Sequence, residues 1–149
     1  MIRSAVYLVS LLLLSGGCSS FDSAYQEALK VTPSSGSIEG PWEGSWRSEM
    51  GHGGDRLRAI VTRTGPETWH VWFRARFWAI FEADQEVDMK SAGRSMSGEK
   101  DLGWLAGGVY HYEATIGPGQ FKATYWSKYD RGKFDLTPSW SWGMGNNGQ

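Results

Sequence analysis

Cysteine is almost missing from this chain: Cys18 is the only one in 149 residues, which excludes an intrachain disulfide and any CxxC metal or redox pair. Long apolar runs are missing too. The longest, Val6 to Leu14, is broken by Ser10 and falls short of the ~20 residues that a membrane-spanning helix needs. Neither sign of charge is in excess, with 15 Lys and Arg against 16 Asp and Glu, and no basic block stands out. Electrostatic binding to nucleic acid or to anionic lipid therefore has no support. Histidine is scarce at three residues, and none has the HxxxH or HxH spacing that brings metal ligands together locally. No serine sits in a GxSxG context, and LAGGVY leads into a strand pattern rather than the helix a phosphate loop requires.

What is present begins with the N-terminal string MIRSAVYLVSLLLLSGGCSS. Arg3 supplies a positive start, Val6 to Leu14 a short apolar stretch, and Ser15, Gly16 and Gly17 the small residues before a cleavage site. The string resembles the bacterial lipoprotein signal, with Ser15 where that signal usually carries a large aliphatic residue. The resemblance implies removal of residues 1–17 and lipidation of Cys18 as the first mature residue. With Ser19 rather than Asp next, it implies an outer-membrane protein facing the periplasm of a Gram-negative envelope. Membrane attachment then rests on the lipid at Cys18.

Residues 18–40 combine that cysteine with a short helix and a linker. Phe21, Tyr25 and Leu29 recur every four residues, with Asp22 or Ser23 placed to cap, predicting about two helical turns up to Lys30. VTPSSGSIEG, residues 31–40, is linker chemistry. From Pro41 the apolar period becomes two. Strands are predicted at 42–49, 56–64, 68–81, 85–91, 94–100, 108–116, 120–128 and 133–137, joined by short Gly-, Pro- and Asp-containing turns. Such short links exclude parallel crossovers. The fold class expected is all-β: an antiparallel meander of about eight strands forming a closed or nearly closed barrel, residues 41–137, with a flexible tail over 138–149. A transmembrane barrel fits poorly, because QEVDMKS and RSMSGEK lack the alternation of a lipid-facing wall.

GPWEGSWRS places Trp42, Gly44 and Trp46 on one face of the first strand, and Gly44 permits a bulge or the close approach of a neighbouring chain. A GxW in the first strand of an eight-stranded meander resembles the calycins, the lipocalins and their relatives. In those proteins the tryptophan closes one barrel end, here Trp46. WEGSWRSEMGHGGDRLRAIVTRTG, ARFWAIF, DLGWLAGGVYHYEATIG and FKATYWSKYDRGKFDL resemble small exported proteins of planctomycete-type bacteria. That likeness implies the fold and carries over no catalytic residue.

Candidate chemistry is sparse. His111 and Glu113 share a strand face and could act as acid and base or as two metal ligands, although a cross-strand polar pair is the simpler explanation. Glu86 and Asp88 share a face as glycosidase acids do, or as any solvated face does. His52 reads as a loop residue. No catalytic residue, metal site or cofactor is assigned, and the chain is read as a non-enzyme.

Aromatic residues are abundant, with nine Trp, six Tyr and six Phe. Trp42, Trp46, Trp69 and Trp104 are expected in the core or at a barrel end. In the third strand Trp69, Val71, Phe73, Ala75, Phe77, Ala79 and Phe81 share one face. Trp72, Arg74, Arg76 and Trp78, on the opposite face with His70, are the candidate ligand-binding residues, since indole and guanidinium groups together stack on sugars or aromatics; the plainer reading is that this wall packs under the helix or stacks its own Arg on Trp. The apolar face either fills a barrel through Phe73 and Phe77 or leaves room beside Ala75 and Ala79. The sequence thus points to a lipid-anchored envelope barrel that binds a small apolar or aromatic ligand, or a glycan or protein met through the Trp/Arg face.

Overall fold

The computed structural model describes residues 19–51, 54–117 and 119–140. One helix, α1 (Ser19–Leu29), precedes eight strands: β1 (Gly40–Ser48), β2 (Arg56–Arg63), β3 (Thr68–Phe77), β4 (Phe81–Ala92), β5 (Ser95–Asp101), β6 (Val109–Gly117), β7 (Gln120–Trp126) and β8 (Arg131–Pro138). All neighbouring pairs are antiparallel, and β8 returns to β1, closing a barrel. Closure removes the edges that an eight-stranded meander would otherwise expose.

Alternation decides the two faces. Val71 and Phe73 of β3, Val87 and Met89 of β4, Tyr112, Ala114 and Ile116 of β6, and Phe134 and Leu136 of β8 are buried inside. The residues between them, such as Lys122, Lys133 and Asp135, face water. The β3 face led by Trp69 is therefore the inner one as far as Phe77. Two predicted boundaries fail: the strand expected over 68–81 ends at Phe77, and the one expected over 85–91 begins at Phe81. Trp78 and Ala79 adopt φ of 47° and 65°, and the Ile80 N–H donates to the Phe77 carbonyl at 3.1 Å. Both residues stand in left-handed backbone without the Gly or Asn that announces such a turn, so unbroken apolar alternation concealed it. Ala79 consequently leaves the inner face.

The β1–β8 seam depends on two residues without side chains. A Cβ on Gly44 would lie 2.0 Å from the Asp135 carbonyl oxygen, and one on Gly132 would lie 2.1 Å from that of Arg47. Gly44 thus serves close backbone approach, as its position between Trp42 and Trp46 suggested.

One end is plugged. Trp42 is fully buried, donates from Nε1 to the Ile38 carbonyl at 2.9 Å, and packs edge-on against Phe121 and Trp140. The end-closing indole is therefore Trp42, not Trp46, because β1 enters the barrel at this end and Trp46 lies four residues further along it. Trp140, expected in a flexible tail, belongs to the plug, while residues 141–149 lie outside the described residues.

α1 lies against the outer face of β1 and β2, with Phe21 and Tyr25 buried one turn apart. The helix is longer than predicted, three turns from Ser19, and Asp22 reaches the barrel instead of capping. The Tyr25 hydroxyl lies 3.3 Å from the Trp42 carbonyl and 2.6 Å from Ser139 Oγ, so the C-terminal part of α1 rests at the plugged end.

Replacing Gly44 or Gly132 by Ala is expected to destabilise the barrel by roughly 3 kcal/mol or more, since backbone on the facing strand cannot yield 1 Å without breaking the seam. Gly117→Ala, which meets nothing within 4 Å, should change stability by less than about 1 kcal/mol. Chemical denaturation of the three variants measures both.

Candidate functional site

The other end of the barrel, reached by β1, β3, β5 and β7 at their C-termini, is open. A cavity of about 240 Å³ lies inside it. Its apolar lining comes from most strands: Trp46, Leu57, Phe73, Ala75, Phe77, Ala83, Tyr110, Tyr112, Tyr125 and Phe134, with Leu102 from the β5–β6 connection. Ring contacts tie these walls together, Trp46 to Phe77 at 4.8 Å, Phe73 to Phe134 at 5.3 Å and Tyr110 to Tyr125 at 6.2 Å between centroids. Ala75 lies opposite Ala83 in the β3–β4 register, and these two methyl-sized side chains leave space where larger residues would fill the barrel.

The wall beside this cavity is split. β4 pairs with β3 along ten residues, from Lys90 to Phe81, but pairs with β5 only from Met89–Gly98 to Ala92–Ser95. Among the described residues, positions 81–88 therefore have no ladder partner on the β5 side, and Glu99–Asp101 pair only with β6. Ala83 and Gln85 stand on one side of the gap, and Leu102 and Tyr110 on the other, so the cavity reaches both the barrel mouth and this lateral slot.

Few polar groups face the cavity. Gln85 Nε2 donates to the Tyr112 hydroxyl, and the Tyr125 hydroxyl donates to Asp130 Oδ2 at 3.1 Å. Asp130 Oδ1 also accepts from Ser48 Oγ at 2.6 Å. Burial pushes both phenols well above the ordinary tyrosine range, and for Tyr125 the Asp130 charge adds to it. Both remain neutral at physiological pH, each able to exchange its partner for a polar atom of a ligand. Trp46 is committed, with Nε1 donating to the Arg76 carbonyl at 3.0 Å.

The four residues expected to bind a ligand do not form one open strip. Trp72 lies under Phe21, edge-on at 5.1 Å, with its buried Nε1 lacking a hydrogen-bond partner. Arg74 is buried, donates from Nε and Nη2 to the Asp84 carboxylate at 2.5 and 2.7 Å, and from Nη1 to Asp22 at 2.8 Å. Arg76 pairs with Asp55 at 2.8 Å, an interaction that holds the Asp55 carboxyl below its usual range. Only Trp78 is freely exposed, and it belongs to the turn. Arg58, buried beside Arg74, shares Asp22 and stacks over Phe21 and Tyr25. The Trp/Arg face is thus where α1 docks.

The other candidates lie on the outer surface. His111 stacks on Trp126 at 5.2 Å and meets Glu99 at 2.9 Å, while Glu113 points to solvent without sharing a cleft with it. His70 lies between Asp88 and Glu86, at 2.8 and 3.3 Å. Among the described residues no group of three His, Cys, Asp or Glu side chains could hold a metal ion, and no helix is long and apolar enough to cross a membrane. A broader depression of about 1070 Å³ crosses the outer face, where Lys90, Glu113, Lys122 and Lys133 line it. The core residues Trp46, Met96, Ala114, Ala123 and Phe134 also border it. Cys18 and His52 lie outside the described residues.

Fold and site together define a small up-and-down barrel, plugged at one end and hollow at the other. Comparison with family models, curated proteins and solved structures gives no match.

Sequence reasoning missed Tyr110, Tyr112, Tyr125, Gln85 and Asp130. Alternation shows that Tyr110, Tyr112 and Tyr125 face inward, but only closure of the barrel brings them to line one cavity with Ala75 and Ala83.

The buried phenols make stability sensitive to alkali. The folded chain keeps protons that unfolded tyrosine, with its ordinary value of 10.0, releases, so stability is full below that pH and falls as pH rises above it. Tyr112→Phe should cost about 1 kcal/mol at neutral pH through the lost Gln85 bond and flatten the alkaline decline, as read by denaturation between neutrality and high pH.

Proposed function

We propose that this chain is a lipid-anchored cell-envelope protein whose barrel binds a small apolar or aromatic ligand without transforming it. The observation that carries the reading is the aromatic cavity of about 240 Å³ at the open end, whose polar lining is Asp84, Gln85, Asp130 and the hydroxyls of Tyr110, Tyr112 and Tyr125. Concave, mostly apolar sites with a few placed polar groups are the usual form of small-molecule pockets. Its volume lies between the roughly 150 Å³ of a cavity that accepts benzene and the several hundred of drug-sized pockets, which suits one or two fused rings or a short chain. The plugged barrel with one open mouth agrees with the calycin resemblance. The anchor rests on the sequence around Cys18, and its outer-membrane destination on Ser19.

The ligand reading is tested with N-phenyl-1-naphthylamine, whose fluorescence rises in apolar pockets. Saturable one-to-one binding is expected. Ala75→Phe, which places a ring in the cavity, should weaken it about tenfold or more while the melting temperature stays near that of the parent. Absence of saturable binding, or indifference to Ala75→Phe, overturns the reading. For the anchor, Cys18→Ser should abolish incorporation of radiolabelled palmitate in a bacterial host, and retained labelling would exclude lipidation at that residue.

A further inference from the structure

Trp104, expected in the core or at a barrel end, is 81% exposed, and Leu105 beside it 82%. They stand on a short 3-10 turn, Trp104–Ala106, in the β5–β6 connection. This connection is not a loose loop: Leu102 N–H donates to the Gly108 carbonyl at 3.0 Å and Gly108 N–H to the Gly103 carbonyl at 2.9 Å. Its backbone holds two large apolar side chains out in water. At the neighbouring β3–β4 turn, left-handed Trp78 and Ala79 do the same for Trp78, 66% exposed, and Ile80, 75% exposed. Such backbone costs free energy, and the ring contacts that Trp78 makes, with Phe77 and Phe81 at 6.4 Å, are confined to the same turn and leave its indole exposed.

These side chains stand at one place in the fold. Both connections follow odd-numbered strands, so both lie at the mouth, one on each side of the lateral slot. From Phe77 to Phe81 and from Leu102 to Val109 there is no charged residue and no polar side chain. The other two connections at the mouth, β1–β2 and β7–β8, carry Glu49, Asp55, Lys128 and Asp130, so the exposed apolar residues form a patch on the β3–β6 side of the mouth, and a patch of residues of this size marks a contact surface.

The course of α1 says which contact. Asp22, in its first turn, binds Arg58 and Arg74, which lie two and three residues from the mouth ends of β2 and β3, whereas Tyr25 one turn later reaches the plugged end. The helix therefore runs from mouth to plug, and its N-terminal end, directly after Cys18 in sequence, lies on the mouth side of the barrel. An anchor at that residue would bring the mouth toward the bilayer.

We infer that the open end of the barrel is a membrane-docking surface, in which Trp78, Ile80, Trp104 and Leu105 enter the interfacial layer of a lipid bilayer and turn the cavity mouth toward it. The inference rests on the anchor proposed above for its orientation, but the apolar rim exists without it. Indole rings favour the headgroup level, where an apolar body and a polar N–H are both accommodated. The rim has no basic cluster, so docking depends on apolar area and not on anionic lipid. A second copy of the chain is a poorer occupant, because side chains projecting from separate turns around an opening do not form a flat self-complementary patch.

The test uses the full chain with Cys18→Ser, which removes both the lipid site and the native thiol. A cysteine is then introduced as Leu105→Cys at the mouth or Gln120→Cys at the plugged end, and labelled with a polarity-sensitive nitrobenzoxadiazole dye. With phosphatidylcholine vesicles, the label at 105 should brighten, shift to the blue and be quenched by spin-labelled lipid, at low and high salt alike, while the label at 120 stays in water. Vesicle binding with the label at 105 unchanged overturns the inference. So does brightening that follows protein concentration without vesicles, which would identify a second copy as the occupant. In the Cys18→Ser chain, Trp104→Ser with Leu105→Ser should lower vesicle partition about tenfold and leave naphthylamine binding in place. Trp78→Gly should raise the melting temperature by relieving the left-handed backbone and still weaken partition, a combination that a purely structural role for Trp78 would not produce. Failure of the naphthylamine experiment alone removes the ligand and leaves the docking result to stand on the label.

Discussion

Closure of the barrel at the β1–β8 seam is the constraint on which everything else in this molecule depends. Until β8 pairs with β1 there is no interior, only a curved sheet with an apolar face and two open edges. Closure turns Trp42 into a plug, makes the faces of Phe73 and Phe134 meet, and confines the space beside Ala75 and Ala83. It is achieved by backbone contact so close that Gly44 and Gly132 tolerate no side chain. The sequence motif that resembles the calycins is, in physical terms, the mark of this seam: a glycine for approach, flanked by indoles that serve the two ends differently.

α1 contributes a second constraint through a buried electrostatic clamp. Two guanidinium groups under one short helix would be costly to bury alone, and Asp22, Asp84 and Glu82 compensate them while Phe21 packs over both. Charges placed this way fix orientation more than they add stability. Phe21 and Tyr25 would pack apolar surface in several registers, but Asp22 on both arginines fixes one point of α1 and the Tyr25 hydroxyl at Trp42 and Ser139 fixes its direction. The clamp therefore determines where the N-terminal segment leaves the domain.

The split between β4 and β5 has the opposite character. Among the described residues, positions 81–88 of β4 pair with β3 but have no partner on the β5 side beside the cavity, and two of the four connections at the opening hold apolar residues outward on hydrogen-bonded or left-handed backbone. Each feature lowers the stability of an isolated domain in water. They agree with one another as parts of a site that meets an apolar phase at its mouth, with a hollow behind the rim and the chain's N-terminal side at the same end.

Most of the fold was legible because alternation, turn residues and strand length are local properties. Six of the eight strands lie within two residues of expectation, while β3 ends and β4 begins four residues early, and the inner face of β3 follows from Trp69, Val71 and Phe73. The turn at Trp78–Ile80 was not legible, since its left-handed backbone carries no glycine or asparagine. The Trp72, Arg74 and Arg76 face was recognised as unusual, but the charges that answer it come from α1, β4 and the β1–β2 loop, through contacts that no spacing reveals. The sequence by itself determined an all-β barrel behind a short helix, a single cysteine and an excess of aromatic residues. Only the tertiary structure decided that Trp42 is the plug, that Ala75 meets Ala83 to leave a cavity, and that Trp104 lies in water. Whether an apolar residue is covered depends on chain distant in sequence, whereas the pattern that makes it a strand or turn residue is written in its immediate neighbours.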